Sequence, residues 1–286
     1  MEGGSGTYLA RVSWFNSGKT EVKSFSFFSP DDVAKFVADI NGSTDALRVR
    51  SLIEANSQMM AVDFTVYQAL SEKGKNLVAT AILAHGDFTA VDDIADYFSV
   101  ALIVQKLNEA SDDTVYKQLI DQNKTVLGLD NGNIYNRFLT LGISVQNKMA
   151  GKNIYDPQSY KTAFEDAVIA TALEQVNGWV EVYPIISMHN DILKLAFTDY
   201  NALKEKSVVD KKLAETAFET REQLSEAFYK AVKDAKAAES GQVGSGSGGG
   251  GGGGESAIHV EKLLAAQPEK EDERQFEDLD TVPWAI

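Results

Sequence analysis

The chain has 286 residues, 44% of them hydrophobic, with 27 Lys and Arg against 42 Asp and Glu, three His and no Cys. That apolar fraction excludes wholesale disorder, and the lack of Cys excludes disulfides, thiolate metal sites and cysteine nucleophiles. The net charge of −15 argues against a surface uniformly basic for duplex DNA or anionic lipid. The charge is uneven: residues 1–85 carry eight basic and nine acidic side chains, 86–240 sixteen and twenty-four, and 255–286 three and nine. The front of the chain is therefore near neutral and its terminus acid-dense.

Met1-Glu2-Gly3-Gly4 has neither a basic nor an apolar leader pattern. The longest apolar stretch, near Phe98–Val104, is far short of the ~20 residues of a membrane span. The expected location is the cytoplasm of a bacterium or of a phage-infected host cell. Tyr8, Ala10, Val12 and Trp14 alternate with Leu9, Arg11, Ser13 and Phe15, which predicts a strand. Asn16-Ser17-Gly18-Lys19 supplies a turn, and Thr20–Phe28 predicts a second strand. Ser29-Pro30-Asp31 opens a helix with Val33, Phe36, Val37 and Ile40 on its apolar face, and Asn41-Gly42 closes it. Strands are expected over Leu47–Ile53, across the alternation of Met60, Val62, Phe64 and Val66, and, after a turn at Glu72-Lys73-Gly74-Lys75, over Leu77–Ala84. The order ββαβββ predicts a small antiparallel sheet domain with one helix over residues 1–86.

After His85 the period lengthens. Asp92–Leu107 is apolar on all sides and predicts a buried helix. Leu127–Val145 is open between forms, with Asn131-Gly132 as a turn between short strands. Asp156-Pro157 starts a helix through Leu173. Ile192, Leu193, Ala196, Phe197, Tyr200 and Leu203 are spaced for another. A last one, about 207–238, carries the seam Leu213, Ala217, Leu224, Phe228, Val232 and Ala235, of a kind that packs on one neighbour or on a second copy. The fold class expected is α+β: the sheet domain, a mostly helical segment over 87–240 that oligomerises, a flexible Gly/Ser linker over 241–254 and an acidic tail over 255–286. Residues 247–254 are eight consecutive Gly, whose backbone entropy and lack of side chains allow no packed element.

Catalytic signals are sparse. Ser17-Gly18-Lys19-Thr20 has the end of a phosphate loop, but Ser13 stands where its first Gly belongs and a strand follows rather than a helix. His85, His189 and His259 are isolated from one another, and Asp130-Asn131-Gly132-Asn133 fails the calcium-loop pattern. Asp92-Asp93 and Asp112-Asp113 lie at helix starts, where acids complement the dipole. Neither an enzymatic activity nor a cofactor or metal is expected.

The first hairpin carries more. Trp14, Phe15, Phe25, Phe27 and Phe28 gather with Arg11, Lys19 and Lys23, the combination that single-stranded nucleic acid needs, because bases stack on rings while cations follow phosphates. The competing reading makes the same rings the core of the small sheet domain. With aromatics on both faces (Trp14 against Phe15, Phe27 against Phe28), one face is left for a ligand. The candidate nucleic-acid residues are Arg11, Trp14, Phe15, Lys19, Lys23, Phe25 and Phe27.

The tail combines a Gly-rich tether, an acidic run and an apolar tip. In it Phe276, Asp278, Asp280, Val282, Pro283, Trp284 and Ile286 are the candidate partner-binding residues: acids steer toward a basic pocket, and Val-Pro-Trp fills it. Phe276-Glu277-Asp278-Leu279-Asp280-Thr281-Val282-Pro283-Trp284 resembles the terminal peptide of bacterial and phage single-stranded DNA-binding proteins. In that family an OB-fold domain precedes a Gly-rich linker and a tip ending Asp-Asp-Ile-Pro-Phe. The resemblance implies single-stranded DNA as ligand and recruitment of replication, recombination and repair proteins by the tail. This chain adds Ala285-Ile286 beyond the aromatic and lacks a five-strand OB pattern at its front. The alternative is a virion or scaffold component whose tail docks onto another subunit. Eight glycines also suit a linker engineered between a domain and a peptide.

Overall fold

The computed structural model describes residues 6–13 and 20–242, with positions 8–13, 20, 21, 23–25 and 242 described by backbone alone. The chain divides into two units, residues 1–242 and 243–286, and every described residue lies in the first. That unit is predominantly helical. Among the described residues its only sheet is the two-stranded hairpin β1 (Gly6–Ser13) and β2 (Thr20–Phe27). The expected small antiparallel sheet domain is thereby corrected.

Helix α1 (Pro30–Asn41) begins as its sequence dictates. The Ser29 hydroxyl accepts from the Asp32 amide at 3.2 Å, Pro30 takes the first turn, and Phe36 and Ile40 are buried. The three strands expected after it are helices or loop. Leu47–Ile53 lies in α2 (Ala46–Ala55), started by the Asp45 carboxylate, which accepts from the Leu47 and Arg48 amides. Val49 and Ile53, four apart, are its buried face, while Leu47 is 59% exposed. A strand would have set 47, 49 and 53 on one side. Met60 to Phe64 is irregular and leads into the short α3 (Thr65–Ala69), where Phe64 and Tyr67 pack at 5.1 and 5.4 Å from the Phe98 ring. The alternation there reports side chains inserted from a loop, not a pleat.

The third expected strand lies in α4 (Glu72–His85). Ser71 caps it by accepting from the Gly74 amide at 3.0 Å. Gly74, expected to turn the chain, lies instead in the first helical turn. The Glu109 carboxylate approaches so closely that a Cβ at Gly74 would collide with it, and that carboxylate also accepts from the Ser71 amide at 3.3 Å. The glycine thus lies beside the end of the Glu109 side chain rather than in a turn.

Helix α5 (Val91–Glu109) is buried along its length, as its sequence implies. Its first half (Ile94, Phe98, Leu102) belongs to one core with α1 to α4, and Val104 and Leu107 to a second. The second core is built by the remaining helices: α6 (Asp113–Asn123), α7 (Gly132–Leu141), α8 (Ile143–Met149), α9 (Pro157–Glu174), a 3-10 turn (Trp179–Glu181), α10 (Val182–Met188), α11 (Asn190–Leu193), α12 (Thr198–Ala202), α13 (Ser207–Ala214) and α14 (Arg221–Gln242). The segment left open around Asn131-Gly132 is helical. Asn131 caps α7 by accepting from the Asn133 amide, and Gly142 at φ +50° separates α7 from α8.

Two expected continuous helices are broken. Between Leu193 and Thr198 the Asn190 amide group takes over the backbone of Leu195, accepting from its N–H at 2.7 Å and donating to its carbonyl at 3.2 Å, with Lys194 at φ +54°. The last helix is interrupted between Ala214 and Arg221, where Phe218 drops into the core. Its seam residues Leu213, Leu224, Phe228, Val232 and Ala235 are buried within this one chain.

The helical assignment of α2 makes a discriminating prediction, because residues 47 and 53 share a face in a strand and not in a helix. Ile53→Ala should cost about 2–5 kcal/mol in urea unfolding, as for other buried Ile truncations. Leu47→Ala should stay within about 0.5 kcal/mol, as for surface positions.

Candidate nucleic-acid interface

The hairpin register sets Gly6 opposite Phe27, Tyr8 opposite Phe25, Ala10 opposite Lys23 and Val12 opposite Glu21; between them fall Thr7–Ser26, Leu9–Ser24, Arg11–Val22 and Ser13–Thr20. Opposed residues in an antiparallel pair share a face. Tyr8, Lys23, Phe25 and Phe27 therefore hold positions of one face. Arg11 belongs to the other, whose remaining positions are Thr7, Leu9, Ser13, Thr20, Val22, Ser24 and Ser26. Sequence reasoning had gathered Arg11 with the rings, and the register separates it. Phe28, expected in the strand, lies beyond it in the link to α1 and is half-buried. Trp14, Phe15 and Lys19 lie outside the described residues.

Three observations orient this hairpin. The Ser26 hydroxyl donates to the Gln58 side-chain carbonyl at 2.6 Å, so the Ser26 face meets the helical body at the hairpin's base. On the opposite face Phe27 is 46% exposed, and toward the tip Val22, on the Ser26 face, is 54% exposed. Of the hairpin positions with described side chains, Val22, Ser26, Phe27 and Phe28 belong to neither helical core. The expectation that the rings form the core of a sheet domain loses its basis, since residues 36–102 already close a core of helical side chains.

The other chemistry-bearing side chains have structural partners. The Asp93 carboxylate accepts from the Thr89 and Ala90 amides at 3.0 and 2.9 Å, and Asp112 from the Val115 amide at 2.9 Å, so both acidic pairs cap helices. The Thr89 hydroxyl and these amides hold the Asp93 carboxyl below its usual range. Arg221 at the start of α14 donates to Asp166 at 2.6 Å, to Glu165 at 3.1 Å and to the Thr162 carbonyl at 3.1 Å on α9. Burial raises the Asp166 carboxyl against the pull of that guanidinium. Tyr116 and Tyr160 share a buried hydroxyl contact at 2.7 Å, and the Tyr200 hydroxyl donates to Asp210 at 2.9 Å. Among the described residues, no three His, Asp or Glu are placed to hold a metal ion. No described helix is long and apolar enough to cross a membrane.

The histidines stay apart. His85 is exposed, its ring 4.8 Å from Phe88 and 4.2 Å from Tyr97. His259 lies outside the described residues. His189, between α10 and α11, has no exposed surface, and neither of its ring nitrogens has a hydrogen-bond partner. Sequence reasoning gave no signal for its burial. The candidate partner-binding residues Phe276, Asp278, Asp280, Val282, Pro283, Trp284 and Ile286 all lie outside the described residues. No protein-family model, no curated protein and no solved structure matches this chain.

Burial lowers the His189 pKa, helped by the Arg137 cation and opposed by the Asp191 carboxylate. The unfolded chain then binds a proton that the native chain refuses, so stability is full above the ordinary histidine value near 6.5 and falls as pH drops below it. Urea unfolding from pH 7.5 down to pH 5 should show that loss, and His189→Leu should flatten it by about one proton's worth of slope. An unchanged slope in the variant would place the titrating group elsewhere.

Proposed function

We propose that this is a non-enzymatic single-stranded DNA-binding protein that holds the strand on its N-terminal hairpin and recruits replication or recombination proteins through its acidic C-terminal peptide. The observation that carries this reading is the ladder register, which sets Tyr8, Lys23, Phe25 and Phe27 at positions of one face, opposite the Ser26–Gln58 anchor. Rings gathered on one face suit base stacking, which tolerates any base because every base has a π-face. Residues 6–28 carry Arg11, Lys19 and Lys23 against Glu21 alone, so the hairpin segment is cationic within a chain of −15, although on the ring-bearing face the register sets Glu21 beside Lys23 and Arg11 on the other face. Cations of this kind follow the phosphates while the rings take the bases.

The tail supports the second half of the proposal by its chemistry. Residues 269–280 are dense in Asp and Glu and end against Val282-Pro283-Trp284. Such a peptide suits a pocket with a basic rim and an apolar floor. Eight consecutive glycines ahead of it have the composition of a tether.

Titration of the full chain with oligo-dT should quench tryptophan fluorescence, and the observed affinity should fall with salt by about 0.7 log unit per phosphate contact and log unit of salt. Phe25→Ala and Phe27→Ala should each weaken binding by about 1–3 kcal/mol, whereas Val22→Ala on the opposite face should leave it unchanged. Absence of binding at low salt, by the full chain and by a chain lacking 255–286 alike, overturns the reading. Deleting 255–286 should abolish capture of replication or recombination proteins while leaving the melting temperature unaltered. A large drop in melting temperature would assign the tail to the fold instead.

A further inference from the structure

Where α4 passes into α5, a groove of about 410 Å³ opens beside the turn, with the rings of His85, Phe88 and Tyr97 and the carboxylates of Asp87, Asp93 and Asp96 in its lining. The turn is pinned from two sides. The Asn41 amide group donates to the Phe88 carbonyl at 2.8 Å and accepts from the Phe88 N–H at 3.0 Å, while Asp93 holds the Thr89 and Ala90 amides at 3.0 and 2.9 Å. The His85 ring stacks on Phe88 at 4.8 Å and meets Tyr97 at 4.2 Å. A ligand would therefore find this lining already ordered.

Apart from the Tyr97 hydroxyl, which can donate or accept, the polar side chains of the lining are acceptors. The Gly86 carbonyl, 2.8 Å from His85 Nδ1, can only accept, so in the neutral ring Nδ1 carries the proton and Nε2 keeps its lone pair. Asp87 and Asp96 are exposed, and neither has a hydrogen-bond or ion-pair partner among the described residues. From residue 76 to 105 the chain carries four Asp and no Lys or Arg. Such a groove calls for a cation rich in donors. A metal ion does not suit it, since among the described residues no three His, Asp or Glu are placed to hold one. Ring faces favour instead a weakly hydrated organic cation, whose charge they attract and whose methylenes they cover.

We propose that this groove binds an alkylammonium group, its N–H donors directed to Asp87 and Asp96 and its methylenes lying against Tyr97 and Val100. A free polyamine and the lysine side chain of a peptide both present that group. The site rests on α4 and α5 and not on the hairpin, so it stands or falls apart from the DNA-binding reading.

Calorimetric titration of the full chain with spermidine, at low salt and without nucleic acid, should show saturable binding. Variants separate the groove from the diffuse attraction of an acidic chain. Asp87→Asn and Asp96→Asn should each weaken the affinity about two- to fivefold. Glu226→Gln removes the same charge from an exposed position of α14 and should leave it unchanged. Tyr97→Leu alters no charge yet should weaken binding by a similar factor, and Tyr97→Phe, which keeps the ring, should retain it. Acetyl-trilysine amide matches the charge of spermidine. Tighter binding of the peptide assigns a protein side chain as the source of the ammonium group, and tighter binding of spermidine assigns a free polyamine. Binding of neither probe, indifference to the Asp87, Asp96 and Tyr97→Leu variants, or an equal loss in Glu226→Gln overturns the proposal.

Discussion

The fold depends on helix α5, which joins its two cores. Ile94, Phe98, Ala101, Leu102, Val104 and Leu107 form a broad apolar face that neighbours must cover, while Asp92, Asp93, Asp96 and Ser99 stay exposed. The chain meets that demand from both directions. Helices α1 to α4 close over Ile94, Phe98 and Leu102, and the later helices close over Val104 and Leu107. Polar side chains fix its position where the two cores meet. Gln105 is fully buried and donates to the Ile154 carbonyl at 3.0 Å, which also accepts from Asn108 at 2.6 Å. Burying an amide is tolerable only with such partners.

With the apolar face of α5 covered by helices, the core expected of a sheet domain is a helical one. This is the link between fold and proposed function. Aromatic residues are usually spent on packing, and in a sheet domain Phe25 and Phe27 would have been needed there. Residues 36–102 close their own core from helical side chains instead. The ladder register adds a second constraint, dividing the hairpin into a face anchored by Ser26 and a face bearing Tyr8, Lys23, Phe25 and Phe27 positions. The buried ionic cluster of Arg221, Glu165 and Asp166 belongs to a different task, holding the start of α14 against α9.

Helix starts were legible where the deciding interaction is local. Ser29-Pro30 before α1 and Asp156-Pro157 before α9 place a cap and a proline within a few residues of the amides they serve. The three misread strands fail for one reason. Short apolar runs such as Leu47–Ile53 and Leu77–Ala84 fit period 2 and period 3.6 almost equally well. What separates them is which residues find neighbours: Val49 and Ile53 do, and Leu47 does not. Gly74 was read as a turn because glycine permits one, yet it lies in a helix beside Glu109. Of the candidate site, the residue types of the hairpin were visible in sequence, but the separation of Arg11 from Lys23, Phe25 and Phe27 was not, because a one-residue change of register exchanges the faces.

The sequence by itself determined the caps, the existence of α5 and the two-strand start, since each rests on residues adjacent in the chain. The tertiary structure decided the rest. It turned three expected strands to helix or loop, broke two long helices at Lys194 and around Phe218, buried His189, and set Arg11 and Lys23 on opposite faces of the hairpin. Those outcomes depend on which distant side chains compete for the same contacts, and burial is a property of that competition rather than of any local pattern.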